Sequence, residues 1–549
     1  MTGDADAVVI GAGPNGLVAA NLLADAGWSV VVLEAELEPG GAVRSGELTV
    51  PGFVHDRFSA FYPLGAASPV LGALGLDRYG LRWRRSPVVL AHPLPDGRCP
   101  ILSTDLDETA ASLDADAPGD GEAWRRLYGL WERLSGPLLD ALLTPFPPLS
   151  AGARLAARLG PAGLLRFARF GVLSVQRLAE EEFSGDGGGL LLTGAALHTD
   201  LAPDSSASSI FGWLLCGLGQ QVGFPVPEGG SGQLTQALVD RLTARGGRIV
   251  CGTRVTRILV RDGRAVGVVT AGGDEVAAQR AVVADVGAPA LYRDMIGAEH
   301  LPPAVLEDIR RFQYDNSTVK VDWALDGPIP WAADQARRAG TVHLADGMDH
   351  FVEASCDLLT GRIPARPHLV MGQMGVADPT RSPAGTETAW AYTHVPQKVR
   401  GDAGGELKGI WDEAEGDVFA DRIEAQIEAL APGFRSLIRG RFVATPPVLE
   451  AANANLVGGS VNGGSAQVHQ QLVFRPIPGL ARPETPVRGL YLGSSSAHPG
   501  GGVHGACGAN AAHAALMAER LRRARTLAAG AAGTVASAAR RATPANRRS

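Results

Sequence analysis

The stretch Ala7-Val8-Val9-Ile10-Gly11-Ala12-Gly13-Pro14-Asn15-Gly16 decides how this chain folds. Four apolar residues without polar alternation read as a parallel strand buried on both faces. The glycines that follow keep a G-x-G-x-x-G spacing and open a helix that runs through Ala24. Gly11 allows a tight turn, Gly13 lets the backbone approach a pyrophosphate, and Gly16 lets the helix pack closely on the strand. A second apolar run, residues 29–33, ends at Glu34, whose carboxylate would accept hydrogen bonds from ribose hydroxyls and would repel a 2′-phosphate. Strand, glycine turn, helix and acid make a complete βαβ unit for a dinucleotide, with Gly11, Gly13, Pro14, Asn15, Gly16 and Glu34 as its site residues.

Working outward, Leu234, Leu238 and Leu242 give residues 232–245 a helical period, and Gly246-Gly247 separate them from an apolar strand at 248–252. Residues 253–260 and 265–270 pair as a hairpin across Asp262-Gly263, and 280–284 return as a buried strand. A last strand at 489–492 leads into a glycine-rich loop and a helix at 506–525. Residues 76–226 read as largely helical, broken by prolines at 145–148 and glycines at 185–189. Segment 290–480 is mixed, with strands at 318–325 and 368–374 and a helix at 420–430. The expected architecture is α/β: a discontinuous dinucleotide-binding domain (1–75, 227–289 and 481–525) and a discontinuous α+β substrate domain (76–226 and 290–480). Residues 526–549, rich in small residues with Arg540, Arg541, Arg547 and Arg548, read as a disordered basic tail.

Bulk properties agree. A chain of 549 residues can bury a large cofactor, and 45% hydrophobic, 19% charged residues describe a soluble α/β protein. The net charge of -7 carries no basic excess, which argues against a nucleic-acid partner. Cys99, Cys216, Cys251, Cys356 and Cys507 form no C-x-x-C pair, so no redox dithiol, zinc ribbon or other metal site is expected. No run of about 18 apolar residues escapes charge or proline, and residues 1–6 lack the basic segment of an export signal, so a cytoplasmic location is expected.

Shortly after Glu34 come Gly40-Gly41 and Arg44: glycines that admit close backbone approach and a guanidinium that pairs bidentately with phosphate. Residues 8–45 as a whole resemble the N-terminal signature of the FAD-dependent amine oxidase and phytoene desaturase superfamily, in which the paired glycines and the arginine approach the FAD phosphates. The string Tyr491-Leu492-Gly493-Ser494-Ser495-Ser496-Ala497-His498-Pro499-Gly500-Gly501-Gly502-Val503-His504-Gly505 looks like the closing motif of the phytoene desaturase-related branch. That likeness implies that Gly493, Gly501, Gly502 and Val503 lie beside the flavin ring and ribityl chain. Gly500, Gly502 and Gly505 also fit G-x-G-x-x-G, but no strand follows and Glu519 sits in an Arg-rich helix, so no second nucleotide site is expected. Residues 227–233 with Val255 are similar to the stretch whose valine backbone meets the adenine, and 52–56 resemble the strand after the pyrophosphate arginine. The resemblance covers nearly the whole chain and is strongest to the branch named for pyridine nucleotide-disulphide oxidoreductase domain-containing protein 2, although this chain has no dithiol. It implies a Rossmann-like FAD-binding domain of the glutathione reductase/amine oxidase type.

Flavin accepts a hydride at N5, so the protein need only position a C–H or C–N bond and exclude water. No side-chain base is obligatory. His55, Lys320, His498 and His504 are the candidate auxiliary groups, with a structural role as the alternative for each histidine. Lys320, between Val319 and Val321, either faces solvent or reaches N5 through water, as lysines of amine oxidases do. Residues 155–183 mix Leu164, Leu165, Phe167, Phe170 and Val172 with Arg166 and Arg169. They read either as an interfacial helix admitting a lipophilic substrate at the inner face of a membrane, or as a core helix with a solvated basic face. The expected activity is that of a dehydrogenase or desaturase acting on an apolar or amine-bearing small molecule, with oxygen, a quinone or another electron acceptor. Two other readings stay open: a flavin-bearing regulatory or interaction protein, and a non-enzymatic lipid binder on the escort/GDP-dissociation-inhibitor architecture.

Overall fold

Strand Ala5–Ile10 is buried at every position but Asp6 because it pairs in parallel on both edges, with Val30–Leu33 and with Glu275–Ala284. The computed structural model describes residues 5–541, with side chains to 527. Across the sheet the order is Val255–Arg261, Arg264–Thr270, Glu275–Ala284, Ala5–Ile10, Val30–Leu33 and Arg248–Val250, with Leu490–Leu492 also parallel to Glu275–Ala284. Successive side chains of a strand face opposite ways, and each face has its own core. Val9, Val32 and Val283 pack against the helices Pro14–Asp25 and Gly232–Thr243 and the start of the last helix, whereas Val8, Val31 and Val282 meet the hairpin of residues 255–270.

Close backbone contacts join the first and last helices to this sheet. A Cβ on Gly16 would stand 2.1 Å from the Gly11 carbonyl oxygen, and one on Gly508 would stand 1.9 Å from that of Asn15. The helix Ala506–Arg541 therefore reaches Pro14–Asp25 only because residue 508 has no side chain.

The second sheet runs Ile438–Ala444, Ser317–Leu325, Glu387–Val395, Leu369–Gln373, Ala339–Leu344, Val88–Ala91, Ile101–Leu102. Ser317–Leu325 is buried at all nine positions between two antiparallel neighbours. The helix Glu413–Leu430 covers one face through Phe419, Ile423 and Ile427.

Three expectations need correction. Val88–Ala91 and Ile101–Leu102 are strands inside the segment expected to be largely helical, since sheet pairing overrides a weak local preference. The glycine break expected at 185–189 falls at 183–186, between the helices Val175–Glu182 and Gly187–Leu197, and the second of these is buried on all sides and packs where side chains would clash. A Cβ on Gly188 would lie 2.5 Å from the Phe183 ring. The basic tail is not disordered from residue 526: the backbone stays helical to Arg541, as a run rich in alanine allows, while residues 542–549 lie outside the described ones. Finally, Leu149–Val172 is no core helix; Ala151 is its one buried residue, and Leu149, Leu164, Leu165 and Val172 are exposed. Among the described residues no helix is long and apolar enough to cross a membrane.

Gly508→Ala should lower the unfolding midpoint, with a cost of about 1–3 kcal/mol for overpacking a backbone contact. Thermal melts of the two proteins check this, and an unchanged midpoint would mean that the two helices do not depend on that approach.

Candidate functional site

Parallel strands end at a common edge, and the loops leaving that edge form the site. Gly11 donates to the Leu33 carbonyl at 2.8 Å, which ties the turn to the neighbouring strand. Pro14 is the first residue of the helix and Asn15 is buried, its side-chain Oδ1 without a partner. Glu34 is buried and held by two backbone amides, Ala12 N–H to Oε2 at 2.6 Å and Glu36 N–H to Oε1 at 2.9 Å. Gly40 donates to the Ala12 carbonyl at 2.8 Å, and a Cβ on Gly41 would lie 3.0 Å from the Cα of Gly13. The 40–44 turn is thereby folded onto the glycine turn. Arg44 is buried and donates to the carbonyls of Gly41 (3.0 Å) and Ala452 (2.6 Å). Among the described residues it makes no ion pair. Glycine turns packed too closely for any Cβ, a helix N-terminus beside them and a cation lacking a carboxylate fit the pyrophosphate of a dinucleotide. Val255 opens its strand close by, since Thr253 N–H donates to the Glu34 carbonyl at 2.7 Å.

Sequence reasoning missed Asp285, which follows the strand Glu275–Ala284. Its Oδ2 accepts the Gly16 N–H at 2.8 Å at the helix N-terminus. Burial, with the charge of Glu34 adding to it, pushes its carboxyl up to about 7.

Gly493 also donates to the edge, N–H to the Ala284 carbonyl at 2.8 Å. A Cβ there would meet Val283 and Ala511 at 3.1 and 3.3 Å, so this glycine seats the last strand against the last helix. The loop beyond it turns inward. Gly501, Gly502, Val503 and His504 form one wall of a cavity of about 720 Å³, whose other walls include Phe61, Phe167, Ile210, Phe211, Leu214 and Leu215.

The four candidate auxiliary groups separate into two places. His504 lines the cavity; its Nδ1 accepts the Ala506 N–H at 3.0 Å, its Nε2 is unpartnered, and burial holds it at about 4, hence neutral at pH 7. His498 is not on the cavity wall: it donates from Nε2 to the Thr144 carbonyl at 3.1 Å, and burial holds it at about 4 as well. His55 and Lys320 meet at Asp322. Lys320 is buried, pairs with Asp322 and lies 5.8 Å from the centre of the Trp390 ring, which excludes a solvent-facing lysine. His55 bonds Thr49 Oγ1 at 2.8 Å and lies 3.5 Å from Asp322.

Among the polar groups on the cavity wall that were not foreseen are His198 and Arg475. His198 Nε2 faces His343 Nε2 at 2.9 Å, one ring donating and the other accepting. Burial holds His198 at about 4 and His343 well below the usual histidine range, so the pair is neutral at pH 7. Four further histidines, His92, His350, His368 and His394, lie around them in the second sheet and its loops. Among the described residues no cluster of His, Cys, Asp or Glu is arranged to hold a metal ion.

Asp285 sets a pH dependence. With its folded value raised from about 4 to about 7, its contribution to stability is full below pH 4 and is lost as pH rises to 7. Asp285→Asn keeps an acceptor for Gly16, so the variant should gain on the parent protein between pH 4.5 and 7.5, by at most ~4 kcal/mol. Melts across that range test the sign; a difference independent of pH would contradict it.

Comparison with known proteins agrees with this geometry. The family described as "Flavin containing amine oxidoreductase" matches residues 15–381. The rat "Pyridine nucleotide-disulfide oxidoreductase domain-containing protein 2" is 30% identical over 546 residues, 92% of each chain. The "Phytoene desaturase (lycopene-forming)" of Pseudescherichia vulneris is 27% identical, over 91% of this chain and 96% of its own. In fold, an oxidoreductase from Methanosarcina mazei superposes with a TM-score of 0.60 at 18% identity, over 93% of this chain and 99% of that one. The chain belongs to the flavin-containing amine oxidoreductase family, and its cofactor is FAD.

Proposed function

We propose that this FAD-dependent oxidoreductase is a phytoene dehydrogenase-like enzyme that removes a hydride from a lipophilic small molecule and delivers it to flavin N5. The observation that carries the reading is the cavity of about 720 Å³, within the size range of small-molecule sites, walled mainly by apolar residues, Leu and Phe the largest among them, and bounded by the glycine loop 499–504. When bound, FAD supplies the two-electron acceptor. The residues of the chain do the rest. Gly11, Gly13, Gly16 and Arg44 hold the phosphates, Glu34 the ribose, and Val255 the adenine side. Phe61, Phe167 and Leu214 orient an apolar chain and keep water out. The proton that leaves with the hydride has a neutral imidazole on the wall to receive it, His198, which accepts at Nδ1 when its Nε2 donates to His343. Oxygen, a quinone or another acceptor then takes the electrons. An amine-bearing substrate is less well served, because no carboxylate lines this cavity to hold a protonated amine.

The cavity rim favours entry of such a substrate from a lipid surface. Val172, Val468 and Leu472 line the cavity and are also exposed, as are Leu164 and Leu165 on the helix of Val172 and Phe474 in the turn of Leu472. Peripheral contact with a membrane at this rim is part of the proposal.

The purified protein should be yellow with one FAD per chain, and Gly13→Glu, whose Cβ would stand 2.7 Å from the Asp285 carboxylate and displace the glycine turn, should be colourless. Under anaerobic conditions an apolar polyene or terpenoid should bleach the flavin. Leu214→Trp should keep FAD and lose the bleaching, and bleaching by short amines alone would overturn the lipophilic reading. Leu165→Glu should weaken binding to anionic phospholipid vesicles in a flotation assay; equal flotation, or none for the parent protein, would remove the membrane contact.

A further inference from the structure

Among the described residues two arginines, Arg381 and Arg475, have no exposure to solvent. Arg381 is compensated twice, by Asp56 at 3.1 Å and Asp378 at 2.9 Å. Arg475 makes no ion pair among the described residues. Its N–H groups donate to backbone carbonyls alone: Ser495 at 2.7 and 3.1 Å, Asn462 and Ser465 at 3.0 Å, and Gly464 at 3.5 Å. Carbonyl dipoles replace part of the lost hydration but leave the charge in place, and a buried charge without a counter-charge is costly.

The groups that face Arg475 do not neutralise it. Burial pushes the Cys507 thiol up to about 12 and holds His498 and His504 at about 4. Asp315 is separated from it by Asn462, whose amide nitrogen donates to Asp315 Oδ2 at 3.1 Å, and burial together with Asp200 pushes Asp315 toward its protonated form. The cation therefore lacks a partner in the protein. It lies on the cavity wall and against the closing loop, where a Cβ on Gly500 would stand 3.0 Å from its Nε. Arg44 shows the same pattern at the other end of the strand edge, beside the phosphate cradle.

We propose that Arg475 is the fixed counter-charge for the reduced flavin: its field stabilises the negative charge that the isoalloxazine gains when two electrons arrive. The proposal rests on the flavin lying beside loop 499–504, as in the function proposed above. A carboxylate substrate is a poorer counter-ion, because every N–H of the guanidinium is already committed to a carbonyl and none is left for a fork. A delocalised anion held by field alone asks for no new hydrogen bond. Arg475 is thus a positioning residue that sets the flavin's electron affinity, and not a catalytic one.

Sulfite is the probe, since it adds to flavin N5 and leaves the ring anionic without needing the cognate substrate; a failed substrate screen would not affect this test. The FAD-loaded parent protein should bind sulfite. Arg475→Met should bind it at least about tenfold more weakly, with a fall in two-electron reduction potential equivalent to about 30 mV per tenfold. Arg475→Lys, which keeps the charge and loses the fork, should stay near the parent in both measurements. Stoichiometric FAD and a melt close to that of the parent establish that a variant is folded. A folded, flavin-loaded Arg475→Met with the parent's sulfite affinity and potential overturns the proposal. So does a Lys variant as impaired as the Met variant, which would assign the residue to loop geometry. If the Met variant does not hold FAD, the Lys variant decides, and a flavin-loaded parent that forms no adduct at saturating sulfite overturns the proposal by itself.

Discussion

The approach of Gly508 to the backbone of Asn15 is the contact on which the arrangement of this molecule depends. The two residues are nearly five hundred positions apart, and no side chain separates the last helix from the first. Because the helices touch backbone to backbone, the strand Leu490–Leu492 can lie parallel to Glu275–Ala284, and the loop after it leaves from the edge where the glycine turn, Glu34 and Asp285 already stand. A parallel sheet gathers its carboxyl ends on one side, so a single steric permission brings four distant loops around one ligand.

Electrostatics then divides the buried charges into two kinds. Arg381 neutralises Asp56 and Asp378 and ties residue 56 to the turn at 378–381, and Lys320 pairs with Asp322 on its own strand. Arg44 and Arg475 are given only carbonyls. A protein interior tolerates such cations where the missing charge arrives from outside the chain, and here both stand along the edge that receives an anionic cofactor.

The cavity is the complement of that polar edge. It adjoins the glycine loop at one end and exposed apolar side chains at the other, and its few polar groups are neutral at pH 7 apart from Arg475. Apolar walls favour an apolar occupant through the water they release, and the same dryness strengthens every fixed charge nearby. Substrate preference and flavin electronics thus follow from one feature, a pocket that excludes water.

Residues 7–45 and 491–505 were legible in the sequence because their signals are local. A glycine turn between an apolar strand and a helix, an acid ending the next strand, and a glycine-rich loop after a strand need only a few consecutive residues to be recognised. The hairpin of residues 255–270 and the strand Ser317–Leu325 were readable from their periods for the same reason. Local signals misled where the surroundings decide. Val88–Ala91 and Ile101–Leu102 lie in a segment that read as largely helical, and Leu149–Val172 joined apolar and basic residues in a way that fits either a core or a surface. The pairing of His198 with His343, the upward shift of the Asp285 carboxyl and the isolation of Arg475 had no sequence signal, because each depends on partners far away in the chain. The sequence by itself determined the dinucleotide fold, through backbone geometry that glycine alone permits, and the resemblance of its motifs to known flavoproteins pointed to FAD. Tertiary structure alone decided which buried groups stay charged, because desolvation and compensation depend on what the folded chain brings within a few ångströms.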